Sequence, residues 1–366
     1  MKKSLRVSLL LMTILLMTLA VGCTSDEEEK TKVVSEKAKK ITLIDNVGRS
    51  VELPFPINRA VVALRYNNEL IRACGAIDQV IAVDLYTAQD RKYWEKFDPK
   101  NVIGKGQREL NYEKIIELDP QVLILPANGT YEEAVEKLSP FGIKVFVISG
   151  YDTFDFENQI DNIGAMFDKK KEAEKFKKYR NDTLNYISTH LKGIEKKTVY
   201  WEGIKDYKTS FPGNYYYNMI MASGGENIFH DSKDKQDYAI ITPEEIVLRN
   251  PDFIIKHVTR NDSLKGTGVY LAPSIKHQKE TIEAIKNRPG WDEITAVKNG
   301  DIYLMSQFGH GGASKLIGAV YMAKWMYPEQ LKGLDPDEIY RAWLEDFQGF
   351  KFIENHIYPL EKNRRK

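Results

Sequence analysis

The stretch ITPEEIVLRNPDFIIK, Ile241–Lys256, repeats an earlier part of the chain, LNYEKIIELDPQVLIL, Leu110–Leu125. In both copies, apolar residues at helical spacing run into an Asp-Pro or Asn-Pro pair, and a proline disfavours helical conformation in the residue before it. The apolar run that follows has the length and β-branched content of a buried strand. Each copy therefore predicts a helix, a tight turn and a buried parallel strand.

A second repeat supports the first. NELIRACGAIDQVIAV, Asn68–Val83, is similar to YNMIMASGGENIF, Tyr217–Phe229, and the two repeats occur in the same order in both halves. Independent convergence on common α/β patterns is the alternative explanation. The chain has 366 residues, which exceeds the size at which a single core usually stops growing. We therefore predict an α/β protein made of two similar lobes, each a mainly parallel sheet flanked by helices.

The composition is that of an ordinary globular protein. Apolar residues make up 42% of the chain and charged residues 29%, and the formal net charge is +1. Nucleic-acid binding depends on clustered positive charge, whereas the lysines here alternate with acidic residues. The composition gives no reason to expect a nucleic acid as a partner.

The first residues form an export signal. MKKSLR is a basic segment, VSLLLMTILLMTLAV is an apolar segment, and Ala20-Val21-Gly22-Cys23 resembles a lipobox, in which the cysteine is lipidated. An uncleaved signal anchor is the alternative. Residues 23–40 are strongly charged and have too few large apolar side chains to fold, so they predict a flexible tether. We expect a signal peptide at 1–22 and a protein held at the membrane through Cys23.

A long amphipathic segment joins the halves. Apolar residues recur at steps of three and four across 153–193, which predicts one long linking helix with a break near Asp168. The N-terminal lobe then spans 41–152 and the C-terminal lobe 194–366. A helix as the covalent crossing is stiff, so we expect no large hinge closure.

Taken in order, the motifs resemble one family. GRSVELPFPINRAVVA, ELDPQVLIL, SGGENIF, RNPDFII and NRPGWDEITAVKNGDIYLM look like parts of the substrate-binding lipoproteins of ABC importers for iron chelates, haem and cobalamin, the helical-backbone class of periplasmic binding proteins. The resemblance covers residues 41 to 350. It implies a monomer with a shallow ligand cleft between two lobes, held at the outer face of the cytoplasmic membrane. There it would deliver its ligand to a dimeric permease.

Residues that follow the predicted strands are the candidate ligand contacts, because ligands of α/β sheets bind beyond the carboxyl ends of the strands. Rings provide contact area for bulky chelates, and a guanidinium provides charge-assisted hydrogen bonds. Packing or surface positions are the alternative for any single tyrosine. The candidates are Arg65, Tyr66, Asn67, Tyr86, Asn128, Tyr151 and Trp201.

His310 is a further candidate in a glycine-rich turn, FGHGGASK. It could ligate a metal, donate a hydrogen bond to a carboxylate or be an ordinary loop histidine. The sequence shows no zinc-ligand spacing around it. No resident cofactor is expected; any metal enters as part of the chelate.

Permease docking is implied by the resemblance, since the family places an acidic residue at the start of an outer helix in each lobe. Glu69 occupies that position in the first lobe. The equivalent position in the second lobe is Asn218, so Glu226 is the nearest substitute, with Glu244 and Glu245 as further possibilities. A solvated surface acid is the alternative for each.

Other classes of function leave no clear signature. The chain lacks G-x-S-x-G, H-E-x-x-H and P-loop motifs, so we predict that it is not an enzyme. A lipid-anchored exported enzyme with scattered carboxylates remains the alternative, followed by a surface adhesin or scaffold. A ferric siderophore is the expected ligand, with cobalamin, haem and a bare oxyanion as alternatives.

Overall fold

The computed structural model describes residues 39–233, 239–259 and 270–359, without the side chains of Gln307 and His310. The signal peptide, the lipidation site Cys23 and nearly all of the tether lie outside the described residues. An antiparallel hairpin opens the described chain, with strand β1 at Lys40–Ile44 and β2 at Ser50–Pro54.

The first lobe is built on a parallel sheet. Within the described residues it has four strands in the order β4-β3-β7-β8, and every adjacent pair is parallel. Its carboxyl ends therefore meet at one edge. The elements are β3 (Ala60–Val62), α1 (Arg65–Ala73), β4 (Val80–Val83), α2 (Leu85–Ala88), β5 (Gly104–Gly106), β6 (Glu109–Leu110), α3 (Tyr112–Leu118), β7 (Val122–Leu125), α4 (Tyr131–Leu138) and β8 (Lys144–Val147).

The linking segment is a helical hairpin and not one straight helix. Helix α5 spans Phe156–Met166 and α6 spans Lys170–His190, and between them Asp168 has a φ of +55°. The predicted break near Asp168 is confirmed, but the chain reverses there. A Cβ added to Gly164 would lie 2.7 Å from the Ala173 methyl, so these small residues allow the two helices to pack closely. The single linking helix of the sequence prediction is corrected to α6 alone.

The second lobe repeats the order of the first. Its described sheet runs β11-β9-β13-β14-β15, and only β15 is antiparallel to its neighbour. The elements are β9 (Thr198–Glu202), β10 (Lys208–Thr209), α7 (Tyr215–Ala222), β11 (Glu226–Asn227), β12 (Ala239–Ile240), α8 (Pro243–Arg249), β13 (Phe253–His257), α9 (Ile275–Lys286), α10 (Thr295–Asn299), β14 (Ile302–Met305), α11 (Gln307–His310), α12 (Lys315–Met326), α13 (Pro336–Ala342) and β15 (Ile357–Tyr358).

The two sequence repeats correspond to matching parts of the two sheets. Helices α3 and α8 both end in a residue of left-handed conformation, Asp119 with φ +44° and Asn250 with φ +43°, and each leads into a central buried strand. Asp and Asn tolerate this conformation better than most side chains. The second repeat places β4 and β11 at the equivalent edges. The prediction of two similar α/β lobes is confirmed.

One apolar core crosses from lobe to lobe. It contains Val62 and Phe146 of the first lobe, Phe176 of the linking helix α6, and Trp201 and Met305 of the second lobe. Fully burying a side chain of this size contributes roughly 1.5–3 kcal/mol relative to leaving it exposed. The lobes are therefore packed against each other and against α6.

Candidate functional site

Four of the predicted contacts lie within or soon after strands of the two sheets. Arg65 and Tyr66 form the first turn of α1, directly after β3, while Tyr151 follows β8. Trp201 lies within β9 and is buried. Arg65 Nη1 is 3.5 Å from Asp90 Oδ2, and only 12% of the arginine side chain is exposed. This places a guanidinium and several rings where the lobes meet.

An aromatic cluster is formed by both lobes. The Tyr151 ring of the first lobe meets the Tyr215 ring edge-on, with centroids 4.9 Å apart. The Tyr216 ring stacks on Trp201 at 4.2 Å, with an angle of 12° between the planes. We call Tyr151, Trp201, Tyr215, Tyr216 and Lys315 the junction cluster.

Lys315 supplies the positive charge of the junction cluster. It begins α12, is 5% exposed, and its Nζ donates a hydrogen bond to the Tyr151 carbonyl oxygen at 3.0 Å. The same nitrogen lies 5.3 Å from the Tyr216 ring centroid and 5.7 Å from that of Tyr215. A cation over ring faces is attracted by their quadrupoles. The cluster therefore combines rings with a cation, which is the chemistry that suits a ligand with both rings and negative charge.

The sequence analysis missed Lys315, Tyr215 and Tyr216. A signal for Tyr215 was present, because the offset of 149 residues between the second pair of repeats sets it opposite Tyr66. Both tyrosines lie in the first turn of the helix that leads to the edge strand of their lobe. The repeat thus predicts a ring at the same place in each lobe.

A second aromatic group lies beside Arg65. Tyr93 stacks between Tyr270, at 4.0 Å, and Phe350, at 4.5 Å. Next to these rings is a cavity of about 400 Å³, and a volume of a few hundred Å³ is usual for small-molecule sites. Lobe one contributes Gln89 to Tyr93, including Asp90, Arg91 and Lys92, and the second half contributes Tyr270, Leu271, Ala272, Phe350 and Ile353.

Asn67 has a structural role in this structure, which corrects its assignment as a ligand contact. Its side chain is fully buried. The oxygen accepts a hydrogen bond from the Gly150 N–H at 2.7 Å, and the nitrogen donates to the Ala63 carbonyl at 3.2 Å. With both amide atoms engaged, Asn67 fastens the loop after β8 to the start of α1.

Tyr86 and Asn128 lie at the strand ends, as expected, but outside the junction cluster. Tyr86 is half-buried against Gly106, whose added Cβ would lie 2.9 Å from the ring. The Asn128 side chain is exposed, and its backbone carbonyl accepts a hydrogen bond from Arg108 Nε at 2.9 Å.

Burial raises the pKa of Tyr151, although hydrogen bonds with Ser149 and the Asn128 backbone partly offset this.

Glu69 is buried, and the expectation of an exposed docking carboxylate is corrected. It is 1% exposed; the Tyr270 hydroxyl donates to its Oε1, and Gln348 Nε2 donates to its backbone oxygen at 3.1 Å. The turn Gly312–Ser314 covers it, since an added Cβ on Gly312 would lie 3.1 Å from Glu69 Oε2. Glu226, on the edge strand β11, is partly exposed, with Lys196 at 3.6 Å. Its docking role remains a prediction.

Burial shifts the pKa of two groups at the lobe junction in opposite directions. It raises the pKa of Glu69 to about 7, although Tyr270, Arg65, Arg72 and Lys315 favour its charged form. It lowers the pKa of Lys315 to about 7, although Glu69 and Asp152 oppose this. The charged form of each group is penalised because it has lost its hydration.

Replacing Glu69 with glutamine should remove a pH dependence of stability. Between the unperturbed pKa of 4.5 and the folded value of about 7, folded Glu69 binds its proton more tightly than the unfolded chain does, so the wild-type protein loses stability as pH rises. Over this pH window, we expect the free energy of unfolding of Glu69→Gln to rise by up to about 3 kcal/mol relative to wild type.

Urea denaturation at several pH values up to about 7 measures this effect. Above that pH, Lys315 begins to contribute in the opposite sense, because its unfolded form holds a proton that the folded form has lost. The exposed Glu113→Gln is the control and should follow the wild-type curve. If the free energy of unfolding changed with pH in the same way for Glu69→Gln and wild type, the raised pKa of buried Glu69 would be contradicted.

His310 belongs to helix α11, but its side chain lies outside the described part of the structure. Among the residues that are described, no group of three or more His, Cys, Asp or Glu side chains is arranged to hold a metal ion. Across 39–233, 239–259 and 270–359, no helix is long and apolar enough to span a membrane.

Comparisons with known proteins agree with this architecture. The family model described as "Periplasmic binding protein" matches residues 61–307, more than half of the chain. The uncharacterized ABC transporter substrate-binding lipoprotein YvrC of Bacillus subtilis is 24% identical over 85% of this chain and 94% of its own length. The vitamin B12-binding protein of Vibrio vulnificus (strain CMCP6) is 24% identical over 61% of this chain and 80% of its own length.

Among solved structures, the TroA-like periplasmic binding protein FepB from Veillonella parvula has a TM-score of 0.71 at 20% identity. The match covers 88% of this chain and all of that one, and it supports the two-lobe fold. These relatives are named as binding proteins and not as enzymes. With the family model matched across both sheets, the chain belongs to the periplasmic binding protein family.

Proposed function

We propose that this protein is the extracytoplasmic substrate-binding component of an ABC importer, anchored through Cys23, which captures a metal chelate and delivers it to a permease. The junction cluster carries the proposal. Its tyrosines Tyr151 and Tyr215 come from different lobes, and Lys315 lies beside them. Rings and a buried cation between two packed lobes suit a ligand that is bulky, partly apolar and anionic.

A ferric siderophore fits this description, since many ferric chelates carry negative charge. Cobalamin is the second candidate, supported by the similarity to the vitamin B12-binding protein of Vibrio vulnificus. The cavity of about 400 Å³ beside Tyr93 adds aromatic surface and the cations Arg91 and Lys92 next to Arg65 and its partner Asp90. Either ligand would use rings from both lobes.

Thermal unfolding of residues 24–366 with a panel of ferric siderophores, cobalamin, haem and molybdate tests this function. A ligand at about 100 times its Kd should stabilise the protein by roughly 2.7 kcal/mol, which gives a measurable rise in Tm. We expect Tyr215→Ala to lose at least about tenfold in affinity for the stabilising ligand, because a buried ring contact is removed.

Tyr217→Ala is the matched control, from the same tyrosine run and the same helix, and outside the junction cluster. It should bind as wild type does. No shift with any member of the panel, in a protein that unfolds cooperatively, would count against the chelate. Equal affinity of Tyr215→Ala and wild type would place the ligand elsewhere.

A further inference from the structure

A smaller cavity lies where the linking helices meet the second lobe. Its volume is about 130 Å³, and its walls come from α5, α6, α7 and the start of α12. Phe156, Leu184, Met219 and Leu316 make it mainly apolar, and two cationic side chains, Arg180 and Lys315, also line it. A cavity of this size lined by apolar groups can hold a molecule about as large as benzene.

Lys315 brings a buried amino group to this cavity, and the acids that favour its charged form, Glu69 and Asp152, act on it without a close ion pair. An ammonium group has three N–H donors, and in the described residues its single hydrogen bond is to the Tyr151 carbonyl. No carboxylate of the described chain lies within 4.0 Å of it. Burying a charge without a close partner of opposite sign is costly. That cost lowers the pKa of Lys315 to about 7, and an anion in the cavity would favour its charged form.

Arg180 faces the same space from α6. Its side chain is 17% exposed, and its Nη1 donates to the neighbouring Asn181 side chain at 3.0 Å. Glu157 approaches the same nitrogen only to 4.0 Å, and the guanidinium lies over the Phe156 ring at 5.1 Å. A guanidinium has five N–H donors in a planar arrangement that suits a carboxylate. Within the described residues, Arg180 therefore has N–H donors left for an anionic group other than Glu157.

We propose that this cavity binds a small monocarboxylate, with its carboxylate between Lys315 and Arg180 and its hydrocarbon part against Phe156, Leu184, Met219 and Leu316. The apolar walls favour a carboxylate with a short carbon tail over phosphate, which would present oxygen to every wall. Asn218 Nδ2, which lines the cavity and donates to the Thr153 hydroxyl at 3.2 Å, adds a polar edge. The site shares Lys315 with the junction cluster, but its proposed ligand does not depend on the identity of the chelate.

Calorimetric titration of residues 24–366 with sodium butyrate, in the absence of any chelate, tests the site. We expect saturable binding of butyrate, and no binding of butyramide, its uncharged analogue, or of inorganic phosphate. Lys315→Met and Arg180→Met should each weaken butyrate binding by about tenfold or more, since each removes a charge-assisted hydrogen bond. Because no chelate is present, this result is independent of the proposed function.

Two control substitutions remove the same single positive charge as the test variants do. Lys324→Met lies on the same helix as Lys315, and Lys178→Met lies on the same helix as Arg180; neither residue lines the cavity. Both should bind butyrate as wild type does. Ala222→Leu fills the cavity and leaves both cations in place. It should abolish binding, which tests the site even where a charge variant fails to fold.

Absence of saturable butyrate binding to the wild-type protein would overturn the proposal. So would equal butyrate affinity in wild type, Lys315→Met and Arg180→Met, or butyramide binding as tightly as butyrate. Phosphate binding with the affinity of butyrate would overturn the monocarboxylate assignment. Retained binding in Ala222→Leu would show that butyrate lies elsewhere.

Discussion

Replacing Glu202 with leucine should destabilise the protein by about 3–5 kcal/mol, because it leaves two buried cations, Lys256 and Arg288, with only the exposed carboxylate of Asp206 as a charged partner, at 2.9 and 3.0 Å. Glu202 is fully buried at the end of β9. Arg288 donates to both of its oxygens, at 2.8 and 2.9 Å, and Lys256 Nζ lies 2.8 Å from Oε1. The Tyr200 hydroxyl and the Tyr207 N–H also donate to it.

The pKa of Glu202 shows that these partners outweigh burial. Burial alone would raise its pKa, but hydrogen bonds from Arg288 and the charge of Lys256 bring it below the usual value. The folded carboxyl therefore stays ionised, and the stability it provides is present above its unfolded pKa and lost in acid. Leucine cannot accept any of these hydrogen bonds.

Urea denaturation of Glu202→Leu and Glu293→Leu at neutral pH compares a buried ion pair with an exposed one of the same N–O distance. Glu293 pairs with Lys298 at the same 2.8 Å, but its side chain is 71% exposed. Exposed pairs contribute about 0–1 kcal/mol, so Glu293→Leu should change little. Similar losses in the two variants would show that the buried network adds nothing beyond a surface pair.

Changing Gly318 to alanine should also destabilise the protein, by about 1–3 kcal/mol or more, although alanine is the better helix former. Gly318 lies in α12. A Cβ at this position would overlap the Gly309 carbonyl oxygen and lie 2.6 Å from the Met219 sulfur. Backbone cannot rotate away as a side chain can, so α12 would have to shift, and Lys315 begins that helix.

Ser188→Ala is the control, an exposed position on the linking helix α6 where alanine meets no close neighbour across an interface. It should leave the denaturation midpoint unchanged or raise it slightly. The two midpoints are compared under the same conditions. A midpoint for Gly318→Ala equal to or above that of wild type would mean that α12 has room to move.

Local patterns in the sequence predicted the lobes correctly. The Asp-Pro and Asn-Pro pairs ended α3 and α8 at Asp119 and Asn250, and the apolar runs that follow became central strands. These features depend on steric effects between adjacent residues, which are present wherever the sequence occurs. The same repeats carried enough information to match Tyr66 with Tyr215.

The reversal of the chain between α5 and α6 was harder to predict from the sequence. Helical periodicity runs through 153–193, but it does not tell whether the chain continues straight or turns back at Asp168. Close packing of Gly164 on Ala173 favours the hairpin. That contact is between two helices, so neither helix alone predicts it.

The sequence by itself determined two α/β lobes, the order of their repeated elements and the presence of rings and cations after the strands. Only the tertiary structure decided which of these side chains meet. Glu69 is buried because the turn Gly312–Ser314 and Tyr270, far along the chain, close over it, and Lys315 joins the junction cluster because α12 packs on α7. Burial and charge compensation depend on all neighbours in space, and neighbours from the other lobe leave no local pattern.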